Sequence, residues 1–96
     1  MKKYNISKGT SFYTIGLNYK KANAEIRGRF SLDEASKLAL YKQAKEDDIE
    51  SLVLTSTCNR TEIYGFAQHP FQLIKLLCDN TKGTIDEFQK VAYVYK

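Results

Sequence analysis

Hydrophobic and polar residues alternate along this chain with two different periods, and the switches between them mark the elements. Phe12-Tyr13-Thr14-Ile15-Gly16-Leu17 is dense in aromatic and β-branched residues and predicts a first strand, after a loose polar tail over residues 1–10. From Asn18 to Phe30 the pattern lapses, which predicts a long loop with a helical turn at Ala24–Arg27. Ser31-Leu32-Asp33-Glu34 reads as a capping box, with Phe30 placed as a hydrophobic staple. Leu32, Ala35, Leu38 and Ala39 then recur at helical spacing and predict a helix to about Glu46, with the apolar stripe facing inward and Asp47-Asp48 in a turn. Ser51-Leu52-Val53-Leu54-Thr55 predicts a buried strand. Thr61–Ala67 predicts the next, in which Gly65 allows close approach. Pro70 suits the first position of a second helix with an inner face of Phe71, Ile74, Leu77 and Cys78, helped by Leu73 and Leu76. Thr84-Ile85-Asp86-Glu87 is another capping box and starts a short helix, and Val91–Tyr95 predicts a last strand.

The resulting order is strand, helix, strand, strand, helix, short helix, strand. It predicts an α+β fold, the ferredoxin-like split βαβ: a four-stranded antiparallel sheet with helices on one face. Ninety-six residues are read as a single domain over 1–96. With 43 % hydrophobic and 27 % charged residues, the composition is that of a globular protein. No apolar run approaches the ~20 residues that cross a bilayer, and the basic start Met1-Lys2-Lys3 is not followed by a signal-type apolar stretch, so the expected location is the cytoplasm, with no membrane partner. A formal charge of +4 is compatible with a nucleic-acid partner without demanding one. Two cysteines and one histidine, with no Cys-Xaa-Xaa-Cys pair, cannot make a four-ligand structural zinc site, and no metal is expected.

The candidate chemistry lies between the second and third strands, in Thr55-Ser56-Thr57-Cys58-Asn59-Arg60-Thr61-Glu62-Ile63-Tyr64. A thiolate is the nucleophilic form of cysteine and is favoured beside a cation, and Arg60 stands two residues from Cys58. Arg60 has two readings: it favours the thiolate, or it holds a substrate carboxylate with its two-pronged guanidinium. Ser56, Thr57 and Asn59 add short hydrogen-bonding groups able to position a carbonyl oxygen. Against this, free cysteines are commonly buried and inert; the polar residues on both sides of Cys58 argue for the reactive reading. Cys78, on the apolar face of a helix, is read as structural, and His69, beside Pro70, as a helix-start residue. Tyr13, Tyr64, Tyr93 and Tyr95 fall in strands and are read as sheet packing; the alternative is a platform that stacks bases, as in RNA-recognition domains.

Ser56-Thr57-Cys58-Asn59-Arg60-Thr61-Glu62-Ile63-Tyr64 resembles the signature of glutamyl-tRNA reductases nearly residue for residue. Gly16-Leu17-Asn18-Tyr19-Lys20 is similar to an early string of that family, which usually carries His where this chain has Tyr19, and Glu25-Ile26-Arg27 falls on a similar acidic–apolar–Arg segment. The resemblance implies an NADPH-dependent enzyme that makes glutamate-1-semialdehyde from glutamyl-tRNA for tetrapyrrole synthesis. It implies that Cys58 attacks the aminoacyl ester to form a thioester, later reduced by hydride, and that Thr57, Asn59 and Arg60 line the glutamate pocket. It further implies a homodimer, with the NADPH-binding and dimerisation domains outside these residues. Consistent with that, no Gly-Xaa-Gly-Xaa-Xaa-Gly string occurs, so no cofactor-binding residue is assigned. Two other readings stand beside it: a non-catalytic ferredoxin-like RNA-binding module, and a stand-alone cysteine hydrolase or acyl carrier.

Overall fold

The structure, a computed structural model, describes residues 9–49 and 51–96; the expected tail falls mostly outside them. Strand β1 (Ser11–Asn18) leads through a short helix α1 (Ala24–Arg29) to helix α2 (Glu34–Glu46). Strands β2 (Leu52–Ser56) and β3 (Arg60–Ala67) form a hairpin, followed by helices α3 (Pro70–Asp79) and α4 (Ile85–Val91) and strand β4 (Tyr93–Tyr95). The sheet order is β2-β3-β1-β4, and every neighbouring pair is antiparallel. β3 lies between β1 and β2, the arrangement of the expected split βαβ fold.

Strand periodicity divides the sheet into two unlike faces. Register places Ile15 opposite Ile63 and Leu17 opposite Thr61. These residues are buried with Leu40, Ala44, Leu73, Leu76, Leu77 and Phe88 in the core under the helices. The alternate positions carry Phe12, Val53, Phe66 and Tyr95, all exposed, on the opposite face. Gly65 borders the β2–β3 seam, where an added Cβ would stand 2.9 Å from the Ser51 carbonyl oxygen; the expected close approach is real.

Three expectations about helices need correction. Ser31 does not cap α2. Asp33 does, its carboxylate accepting from the Ser36 amide at 2.8 Å, while the Ser31 hydroxyl donates to the Gly28 carbonyl and closes α1 instead. Asp is as good an N-cap as Ser, so overlapping signals two residues apart were decided by where α1 ends. The inward stripe also differs: of the expected set only Leu32 is buried, joined by Leu40 and Ala44, whereas Ala35, Leu38 and Ala39 face solvent, Leu38 at 70 % exposure. On α3, Leu73, Leu76 and Leu77 carry the burial, and Phe71, expected inside, is 43 % exposed. Val91 closes α4, so β4 starts two residues later than expected.

The ends of these helices follow local chemistry. α2 stops in a Schellman turn, with the Ile49 amide donating to the Ala44 carbonyl at 2.8 Å and Asp48 at φ 62° where glycine is usual. His69 caps α3, its Nδ1 accepting from the Phe71 amide at 3.0 Å, as the adjoining Pro70 suggests. Thr84 and Glu87 form the expected capping box of α4.

Candidate functional site

Thr57, Cys58 and Asn59 connect β2 to β3, with Cys58 and Asn59 at the tip. The Thr57 amide donates to the Arg60 carbonyl at 2.8 Å and closes the hairpin. Among the described residues the tip uses no left-handed non-glycine conformation, unlike the turns that usually suit a two-residue connection. A side chain does the ordering: the Thr57 hydroxyl oxygen accepts from the Asn59 amide at 3.2 Å and the Arg60 amide at 3.3 Å. Just inside the tip, the Ser56 hydroxyl pairs with that of Thr61 at 3.1 Å and accepts from the Leu32 amide at 3.0 Å, tying the hairpin to the segment that enters α2. Ser56 and Thr57 are thus engaged in holding the backbone.

The tip is also gripped from a distance. Arg27 on α1 donates through Nε to the Cys58 carbonyl at 2.9 Å and through a terminal nitrogen to the Ala22 carbonyl at 2.7 Å. This guanidinium fixes the Cys58 backbone against the loop that leaves β1, whose residue Asn18 stands opposite Arg60 in the sheet. The long patternless stretch from Asn18 to Phe30 therefore has a task at the site, and α1 within it, capped by the Asn23 side chain on the Ile26 amide at 2.9 Å, is the expected helical turn extended to Arg29. Cys58 and Asn59 are exposed, and the Cys58 thiol is free.

Arg60 turns along its own strand. A terminal nitrogen lies 3.7 Å from Glu62 Oε1, and 46 % of the Arg60 side chain remains exposed. Glu62 is 7 % exposed on the sheet face without helices. Its Oε1 accepts from the Tyr64 hydroxyl at 2.5 Å, and its Oε2 from the Tyr93 hydroxyl of β4. Burial alone would push this carboxyl up, but the two phenol hydrogen bonds and the Arg60 charge outweigh it and hold the group below the usual carboxylate range. Reciprocally, burial and then the hydrogen bond to Glu62 push the Tyr93 phenol up. Gly16 lies opposite Glu62 and makes room: a Cβ there would come within 2.8 Å of the Glu62 Cγ and 2.5 Å of the Thr61 carbonyl oxygen.

The model of the family described as the glutamyl-tRNA(Glu) reductase N-terminal domain matches residues 15–96. The chain belongs to that family. A glutamyl-tRNA reductase of Christiangramia forsetii is 71 % identical over 96 residues, all of this chain and 23 % of that protein. One from Acinetobacter baumannii is 36 % identical over 88 residues, 90 % of this chain and 20 % of that protein. The chain spans about a quarter of the length of the relatives it matches. The solved glutamyl-tRNA reductase of Methanopyrus kandleri has the same fold, with a TM-score of 0.63 at 20 % identity over 88 % of this chain and 18 % of that one.

Thr57, Cys58, Asn59 and Arg60 all stand at one end of the β2–β3 hairpin, as their adjacency requires. The structure adds Arg27, Glu62, Tyr64 and Tyr93. Arg60, Glu62 and Tyr64 occur at every second position of a strand and so share a face, a signal the sequence carries. Tyr93 and Arg27 reach the site through tertiary contacts 31 residues away from Glu62 and Cys58, and no spacing rule points to them. Cys78 is half-buried on α3; burial first, then the Asp79 and Glu87 charges, pushes its thiol up to about 11, as fits the structural reading.

Proposed function

We propose that this chain is the nucleophile-bearing domain of a glutamyl-tRNA reductase and that Cys58 opens the reaction. The observation that carries the reading is an exposed free thiol at a hairpin tip whose backbone is held by Thr57 and Arg27. The Cys58 thiolate attacks the ester carbon that joins glutamate to the terminal ribose of its tRNA. The new S–C bond forms, the C–O bond to the ribose breaks, and the tRNA leaves with its hydroxyl reprotonated, giving a glutamyl thioester. Covalent capture divides one difficult reduction into two easier steps. Arg60, with part of its guanidinium open to solvent, is the group suited to a substrate carboxylate, and Thr57 and Asn59 flank it.

The family's reduction uses NADPH, and the residues of this chain do not fit that cofactor. The sheet is antiparallel throughout, and the sequence holds no glycine-rich strand–helix fingerprint for a dinucleotide phosphate. In the full-length protein, dimeric in this reading, NADPH bound by polypeptide outside these 96 residues would supply the hydride.

The test is to incubate the full-length polypeptide with glutamyl-tRNA in the absence of NADPH and weigh it by mass spectrometry. A glutamyl adduct on Cys58 is expected; an adduct formed at full rate by Cys58→Ser would overturn the assignment. A second reading, an RNA-binding module without catalysis, draws on the exposed Phe12, Phe66 and Tyr95 of the helix-free face. It expects steeply salt-dependent RNA binding that is unchanged by loss of Cys58 and no adduct.

A further inference from the structure

The helix-free sheet face contains one feature that packing does not require. A carboxylate 7 % exposed, between two tyrosines, is an expensive way to fill space; an apolar side chain of similar size would cost less to bury. Yet Glu62 is supported from several directions: Tyr64 from two residues along β3, Tyr93 from β4 across the sheet, and Gly16 of β1, which leaves the gap its methylenes occupy. Its two oxygens each take one phenol, and the remaining approach to Oε1 is occupied by Arg60 at 3.7 Å.

We propose that Glu62 is a positioning residue: held by the phenols of Tyr64 and Tyr93, its carboxylate fixes the direction of the Arg60 guanidinium and so makes the site select a side-chain carboxylate over its neutral amide. This rests on the reading of Arg60 given above and deepens it. A flexible arginine at a strand end samples many rotamers, and ordering it on binding weakens the complex. A buried anion beside it restricts those rotamers in advance. Because the ion pair with Glu62 is single-pronged and 46 % of the Arg60 side chain is exposed, another edge of the fork stays open to a ligand. The phenol hydrogen bonds keep Glu62 charged despite its burial, so the brace persists at neutral pH.

The experiment measures equilibrium binding of glutamyl-tRNA against glutaminyl-tRNA, which differs by an amide in place of the side-chain acid. It uses the full-length polypeptide in a Cys58→Ser background, so that no thioester chemistry enters. Wild-type residues at 60 and 62 should prefer the glutamyl form. Glu62→Gln should cut that preference by roughly two- to fivefold, the scale of a partly exposed ion pair. The double variant Arg60→Gln/Glu62→Gln should lose no more than Arg60→Gln alone, because Glu62 acts through Arg60. Tyr64→Phe, which keeps the carboxylate but loosens it, should give a smaller loss in the same direction, and it serves as the test should Glu62→Gln fail to fold. An unchanged preference in a folded variant, or additive losses in the double variant, would overturn the role of Glu62 alone. No preference in the reference protein would overturn the glutamate reading of the site as well.

Discussion

The two cysteines occupy opposite kinds of surroundings, and the contrast separates chemistry from packing. Cys58 stands at a hairpin tip whose backbone amides and carbonyl are held by Thr57 and Arg27 while its side chain faces solvent. Cys78 lies on a helix beside Leu77, half-buried, with two acidic side chains raising the cost of its thiolate. One region fixes the backbone and leaves the sulfur accessible; the other packs the sulfur and suppresses its ionisation. Neither cysteine is in a disulfide, so each thiol is left to its own surroundings.

The largest test of this contrast is exchange of the two thiols for hydroxyls. Cys58→Ser should lower glutamyl adduct formation by the full-length polypeptide more than about a thousandfold, whereas Cys78→Ser should change it little. Next in size is the packing side. Leu77→Ala beside Cys78 should destabilise the fold by about 2–5 kcal/mol in urea unfolding, since Leu77 is wholly buried. Alkylation sharpens the same comparison. Iodoacetamide should label Cys58 in the folded chain near neutral pH, and Cys78 only on unfolding or strong alkalinisation, as peptide mass mapping would show.

The pH dependence of Cys78 has a defined sign. Its neutral form is the one the fold favours, and its folded value is raised from 9.0 to about 11. Its contribution to stability is therefore complete below the unfolded value and is lost as pH rises through that window. Replacing Cys78 with alanine should flatten part of the fall in Tm over the same range. The smallest expected effect lies in the turn after α2, where Asp48 bears the strain of φ 62° without being glycine. Asp48→Gly should stabilise by about 1 kcal/mol and raise Tm by a few degrees.

Strands and topology were legible because β-branched and aromatic runs set them, and the hairpin site was legible because its four proposed residues are contiguous. Cap competition was not. Ser31 and Asp33 are both good N-caps, and only the point at which α1 closes decides between them. Nor was the inward face of α2: Leu38 fits a helical stripe on paper, but the core receives Leu40 and Ala44 instead. The brace around Glu62 was half legible, through the alternation of Arg60, Glu62 and Tyr64. Its other half, Tyr93, belongs to a strand whose register against β1 no local pattern specifies.

The bond from Arg27 reaches the carbonyl of Cys58 and not its sulfur. Mechanically, the hairpin tip is thus a pinned pivot carrying a free rotor. The Cα of Cys58 is located by a contact to another part of the fold, while rotation about Cα–Cβ remains open to the three staggered wells. Such a rotor turns in picoseconds to nanoseconds. In the proposed reaction, a thiol mounted this way would meet the ester carbon by turning on one bond.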